Sequence, residues 1–368
     1  MWGVKLDFDT VVYALYGIQL HSEYPDEKES SLIKQFDSLM QDFPTYLDRL
    51  IQDGGASPNP GRTQVWLVHW STRQAYEAWW TRPDVTAFWT SLPDDAGMWR
   101  EIISPHSSRT QHGTNHAPGP IGLGYLGARV SIADKSGYWG CYYHRMSAST
   151  TGREILKTSL DRPLSRSEGI RMSKVDSISS LASSSPPVRD RAIRHGRVNM
   201  HHFPNNLCFV VEGQDHTHVS SEERIYWEQH FSVPVNRWIT DLITTGPHDP
   251  KSGILDARLC YDPVSGPFHC NGPENIPQLK YNRKVQFFYF TDMGHMLSMG
   301  KQHSEHVKLR AQFMVAYGPG GYLQDKAKIC LWAETSILKP DEIECEYVGC
   351  VEGTGLMAFE GLEEFQTK

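Results

Sequence analysis

Three things this sequence has little of narrow its function before any motif is considered. Apolar runs such as that around VQFFYF, 285–290, fall far short of the roughly 20 residues a membrane-spanning helix needs, and the first residues lead into no signal-peptide core. The seven cysteines (141, 208, 260, 270, 330, 345 and 350) are odd in number and form no CxxC pair. That excludes a disulfide framework, a zinc ribbon and a covalently attached c-type haem, and it suits a reducing compartment. Basic residues are not in excess: 36 Lys and Arg against 43 Asp and Glu give a net charge of −7. Such a chain is not built to neutralise phosphates. The expectation is a cytoplasmic globular protein of 368 residues that takes a small-molecule partner, not nucleic acid or membrane.

Aromatic residues, by contrast, are plentiful. The 11 Trp, 16 Tyr, 14 Phe, 11 Met and 17 His fit an apolar pocket for a flat ligand, although most of those rings belong to an ordinary core. The elements run in the same order twice. In the first half, VVYALYGIQ (11–19) reads as a strand, 31–53 has helical periodicity, QVWLVHW (64–70) is a strand, and 72–89 is an aromatic-rich helix bent at Pro83. In the second half, LCFVVEG (207–213) is a strand, 220–245 a long helix, VQFFYF a strand, and 293–317 a helix stopped by Gly318-Pro-Gly-Gly321. Further strands are expected at 138–145, 255–260, 328–337 and 344–350. The pattern predicts an α+β fold of two ferredoxin-like halves of the dimeric α+β barrel type, 1–150 and 198–368, joined by a connecting segment over 151–197. Within that segment the Ser-rich stretch 163–187 reads as a mobile loop, and Arg189, Arg191, Arg194 and Arg197 as solvated linker.

Two patterns invite a chemical reading. Gly122-Leu-Gly-Tyr-Leu-Gly127 matches GxGxxG, but a dinucleotide site needs a strand before it and a helix after it. Here a loop precedes and a strand follows, so the match is accidental. The second pattern is the last long helix, which carries His295, His303 and His306, with 303 and 306 three apart on one face that also holds Met299 and Arg310. These histidines can be ordinary members of an amphipathic helix. They can be part of a zinc site, although HxxH without a central Glu matches no zincin and no third ligand is visible. Or one imidazole can hold a haem iron beside an aromatic cleft. Composition does not choose between these.

Longer strings do choose. Asn205-Asn-Leu-Cys-Phe-Val-Val-Glu-Gly-Gln-Asp215, Gly137-Tyr-Trp-Gly-Cys-Tyr-Tyr-His-Arg145 and His303-Ser-Glu-His306 together resemble the aldoxime dehydratases, as do Trp99-Arg-Glu-Ile-Ile-Ser-Pro105 and Gly353-Thr-Gly355. The resemblance spans nearly the whole chain. It implies a lyase that turns aldoximes into nitriles and water, two ferredoxin-like halves commonly paired as a homodimer, and a noncovalent haem b, ferrous when active, lying between sheet and helix.

The resemblance also implies roles for individual residues. The iron ligand falls on His306, with Met299 beside it in the cofactor site, and the distal arginine falls on Arg145, expected to point from a strand into the pocket. Three positions depart from the family's pattern: its distal serine is Glu212, its distal histidine is Ala333, and a glutamate of the first half is Gln111. The implied reaction needs an acid for the departing hydroxyl and a base for the carbon-bound hydrogen. Ala333 can carry no proton. Glu212 is either a substitute proton carrier or a salt-bridge partner of Arg145. The departures leave room for a diverged reaction on another substrate with an oxidised nitrogen, or for haem binding without turnover.

Overall fold

Thirteen strands join edge to edge in one sheet, every pairing antiparallel, in a computed structural model that describes residues 1–20, 24–41, 43–54, 61–116, 118–175, 192–268 and 276–366. In chain order the elements are β1 (Trp2–Lys5), β2 (Val12–Gln19), α1 (Glu27–Met40), β3 (Tyr46–Gln52), β4 (Thr63–Trp70), α2 (Arg73–Trp80), α3 (Pro83–Thr90) and β5 (Met98–Ile103). There follow β6 (Thr110–Thr114), β7 (Ala128–Ser131), α4 (Cys141–Arg145), α5 (Arg166–Val175), β8 (Ile193–Met200), β9 (Leu207–Asp215), α6 (Ser221–His230) and α7 (Ser232–Thr240). The chain ends through β10 (Ile254–Tyr261), β11 (Arg283–Phe290), α8 (Met293–Gln302), α9 (Ser304–Tyr317), β12 (Cys330–Leu338) and β13 (Ile343–Val351).

The sheet order is β7-β1-β6-β12-β9-β11-β10-β3-β4-β2-β5-β13-β8. Within each half, a strand–helix–strand–strand–helix–strand run places its fourth strand beside its first, then its third, then its second. The two quartets meet at a single register pair, Tyr261 with Ile51.

Period-two alternation then decides what each face buries. Leu207, Phe209 and Val211 of β9 turn to a core shared by both halves, where Phe209 meets Tyr13 of β2 with ring centroids 5.5 Å apart. Cys208 and Val210 turn the other way, towards a second core under α6–α9. A third core lies between α1–α3 and the outward face of β2 and β4, filled by Phe36, Trp66, Trp70 and Trp79. Each such ring contributes roughly 2–3 kcal/mol by leaving water.

Inside the shared core sits a charged network. Arg258 binds Glu101 at 2.5 Å and Asp256 at 2.7 Å, while Arg166 from the start of α5 reaches both Asp256 and the Gly353 carbonyl. Tyr289 and Tyr347 donate to Glu101 at 3.0 and 2.7 Å. The two strings 99–105 and 353–355 meet here. A Cβ on Gly355, whose φ is +53°, would overlap the Glu101 carboxylate.

Several expectations need correction. The strand expected over 138–145 is instead helix α4, entered through a left-handed Gly140, and so Arg145 closes a helix. The helical periodicity over 31–53 ends at Met40; beyond it Leu47 and Leu50, three apart, turn to opposite cores, the third and the shared one, as strand β3 requires and a helix face does not. The helix over 72–89 breaks at Thr81-Arg82, with Pro83 opening α3. The helix over 220–245 is interrupted at Phe231, and its last five residues form a π turn. The helix over 293–317 breaks at His303, whose extended backbone ends α8 and caps α9. The 163–187 segment is not all loop, since α5 occupies Arg166–Val175; 176–191, with Arg189 and Arg191, lies outside the described residues. Arg194 and Arg197 are strand residues of β8 paired with Glu360 and Glu346. The GLGYLG string forms a 3-10 turn whose Leu123 N–H donates to Glu334 at 2.8 Å, with no helix following.

Candidate functional site

The face of the sheet beneath α8 and α9 carries the residues singled out above. Directly opposed positions share a face, so the register Gly113–Ala333–Glu212–Gln286 runs in one row across β6, β12, β9 and β11. Val210, Phe288 and Ile337 lie on the same face and pack against Met299, Leu309 and Phe313 of the two helices. The expected site is thus a layer between sheet and helix.

Arg145 reaches this row from its edge. Its Nη1 donates to Gln111 Oε1 at 3.2 Å, its Nη2 to Ser136 Oγ at 3.0 Å and its Nε to the Lys135 carbonyl at 2.9 Å. Gln111 in turn donates to Thr335 Oγ1 and the Ala333 carbonyl at 3.1 and 3.3 Å. The guanidinium lies over Gly113, where any Cβ would overlap Nη1. A fork held at three points is fixed in orientation, which suits it to holding an oxygen and not to moving a proton.

The Glu212 carboxyl makes neither an ion pair nor a hydrogen bond with any described residue, Arg145 included. The salt-bridge alternative is therefore overturned: β12 lies between Glu212 and Gly113, over which the guanidinium sits, and three of the five Arg145 N–H groups go to Gln111, Ser136 and Lys135 while two remain for another acceptor. Burial alone pushes the Glu212 carboxyl up to about 7. Tyr142, one turn before Arg145 on α4, was not singled out from the sequence. Its ring lies 5.0 Å from the Arg145 guanidinium carbon, and its phenol is pushed up by burial and then by the Glu212 charge. Its place inside the 137–145 string was the available signal.

On the helix side, His306 stands in the first turn of α9. Its ring is stacked on Trp238 (centroids 4.6 Å apart, 25° between planes), with Trp139 at 5.7 Å on another side. Nδ1 lies 2.6 Å from the Gly300 carbonyl oxygen, which can only accept. Nδ1 must therefore carry the proton, leaving the lone pair on Nε2, and burial keeps the ring neutral by lowering its pKa. A carbonyl behind the ring is the usual support of a metal-binding imidazole. Met299 is half-buried in the preceding turn.

His303 meets the same Trp238 edge-on, with centroids 4.7 Å apart, but its Nε2 is taken by Asp241 at 3.0 Å. Among the described residues no cluster of three His, Cys, Asp or Glu could hold a metal ion, so the zinc alternative has no ligand set. His216 is packed against Phe268 and Trp227, and His144 is exposed beside Tyr138; neither bonds to a member of the row.

The residues present fit a haem. One neutral imidazole is held by its Nδ1 with Nε2 unbonded among the described residues, the surrounding layer is apolar, and polar groups cluster on the sheet side. Comparison with known proteins points the same way. The sequence pattern of the haem-containing dehydratases matches residues 14–356. The chain is 22% identical over 364 residues to phenylacetaldoxime dehydratase of Bacillus sp. (strain OxB-1), covering 97% of this chain and 90% of that protein. It is also 22% identical over 374 residues to aliphatic aldoxime dehydratase of Rhodococcus globerulus, with the same coverage, 97% and 90%. A crystal structure of an aldoxime dehydratase with butyraldoxime shares the fold, with a TM-score of 0.73 at 18% identity over 97% of this chain and 88% of that one.

Proposed function

Because the chain belongs to the haem-containing dehydratases, we propose that it is a haem b lyase that removes water from an aldoxime to leave a nitrile, with His306 as the iron ligand. The observation that carries this reading is the His306 imidazole, whose Nδ1 is committed to the Gly300 carbonyl and whose Nε2 is left with its lone pair. Met299 lines the same layer. The spatial order of strands within each quartet supports reading the halves as ferredoxin-like, and a homodimer is the assembly expected from the resemblance.

Held by His306 and reduced, haem would supply the electron density that weakens the oxime N–O bond. The chain's own residues do the rest. Arg145 offers a fixed N–H donor to the oxygen of the departing hydroxyl. Glu212, still protonated near neutrality because of its burial, delivers a proton to that oxygen, and the resulting carboxylate takes the carbon-bound hydrogen. The apolar layer from Val210, Phe288 and Leu309 excludes bulk water from both transfers. The alanine at 333 favours a second reading, in which the same apparatus breaks an N–O bond in a bulkier N-hydroxylated substrate.

The test is a panel of aliphatic and aryl aldoximes given to haem-loaded, dithionite-reduced protein, with nitrile measured by gas chromatography. Nitrile from at least one aldoxime is expected. No nitrile from any of them, in protein that binds haem, would overturn the dehydratase reading.

A further inference from the structure

Arg310 has no part in the chemistry above. It stands one turn beyond His306 on α9, so the two side chains leave the helix on the same face. It is half-buried, with its guanidinium carbon 4.2 Å from the centre of the Trp139 ring. The Trp139 ring it covers also borders His306, with centroids 5.7 Å apart, which places Arg310 at the edge of that layer. No carboxylate pairs with it among the described residues. Arg145, by comparison, has three hydrogen-bond partners. A half-buried guanidinium without a counter-charge has lost part of its hydration and gained only a ring face in return.

The surroundings indicate what anion would complete it. Met299, Leu309 and Phe313 make the interior of the layer apolar, whereas Tyr138 and Trp139 at the Arg310 end are 37% and 38% exposed. A ligand matching this gradient is a flat, apolar body with a carboxylate on one edge. We propose that Arg310 binds a propionate carboxylate of the haem and thereby sets which edge of the macrocycle faces the Trp139 rim. This rests on the reading of His306 as the iron ligand. The cation–π contact holds the fork ready, and the carboxylate supplies the missing acceptor.

The experiment compares haem b with its dimethyl ester, which keeps the ring and iron but removes both carboxylate charges. Each is titrated into apoprotein by Soret absorbance, in the natural chain, Arg310→Met, Arg310→Lys and His306→Ala, with far-ultraviolet circular dichroism as the check on folding. The natural chain should bind the free acid about tenfold more tightly than the ester, the loss typical of one charged hydrogen bond. Arg310→Met should reduce that preference to near unity with the histidine-bound spectrum intact, and Arg310→Lys should restore part of it. An unchanged preference in Arg310→Met overturns the proposal, including the case in which Arg310 serves a carboxylate of the substrate. An unchanged spectrum in His306→Ala would instead sink the ligand assignment, and the two failures are read from different variants.

Discussion

Glu212 and Ala333 stand directly opposite one another across β9 and β12, on the face that α8 and α9 cover. Position 333 brings only a methyl group to that face, and the facing position on the next strand brings a carboxyl.

The first consequence is a pH dependence with a definite sign. Glu212 moves from an ordinary 4.5 to about 7 on folding, so the folded chain binds that proton more tightly than the unfolded one. Its burial costs nothing well below pH 4.5 and destabilises increasingly as pH rises from there to about 7. Glu212→Gln should therefore raise the urea midpoint of the apoprotein at pH 8 and leave it unchanged at pH 4. Turnover of the haem-loaded chain should fall as pH rises through about 7, and Glu212→Gln should lower it about a hundredfold or more. A variant that keeps its rate per haem would remove Glu212 from the chemistry.

His306→Ala should abolish or severely weaken haem retention, whereas His303→Ala should leave the Soret band near normal, since His303 is turned to Asp241. Pyridine haemochrome content per chain reads both. Equal haem in the two variants would contradict the assignment.

Arg145→Lys keeps the charge but cannot hold Gln111, Ser136 and the Lys135 carbonyl together, and should slow turnover by about tenfold or more. Gly113→Ala, which leaves Arg145 in place but drives its Cβ into Nη1, should reproduce much of that loss without lowering haem content. Full activity in both variants would make the guanidinium's position irrelevant to the rate.

Arg258→Met should destabilise the fold by about 3–5 kcal/mol, because it leaves Glu101 and Asp256 buried beside a single remaining cation, Arg166. Equilibrium urea unfolding measures it. Restoring stability with a second change, Glu101→Gln, would show that the cost is the uncompensated charge and not the lost volume.

Legibility followed the physics of each segment. The strands β2, β4, β9 and β11 are buried on both faces, so their apolar runs are continuous and read directly from the sequence. His306 and Arg145 are singled out by the strings 303–306 and 137–145, and the structure sets Arg145 against Gly113 and His306 against the Gly300 carbonyl. The helical break at His303 was hidden because HSEH is compatible with a continuous helix, and it is the tertiary bond from His306 to Gly300 and the turn of His303 to Asp241 that accompany the kink. Helix α4 was misread as a strand because Tyr-Trp and Tyr-Tyr suggest sheet, while the left-handed Gly140 starts a turn of helix there. Tyr142 was missed for the same reason: only a helix brings positions 142 and 145 to one side.

The third core has a consequence of its own. A duplicated plan offers two comparable berths, one beneath each set of helices. In the first half, Phe36 and Trp66 interlock at 4.9 Å and Trp70 and Trp79 at 5.3 Å, all of them fully buried, so indole occupies the space that a porphyrin would need. The repeated strand order is thus kept in topology while the two helix-covered layers differ in filling, and the haem site we propose in the second half has interlocked indoles as its counterpart in the first.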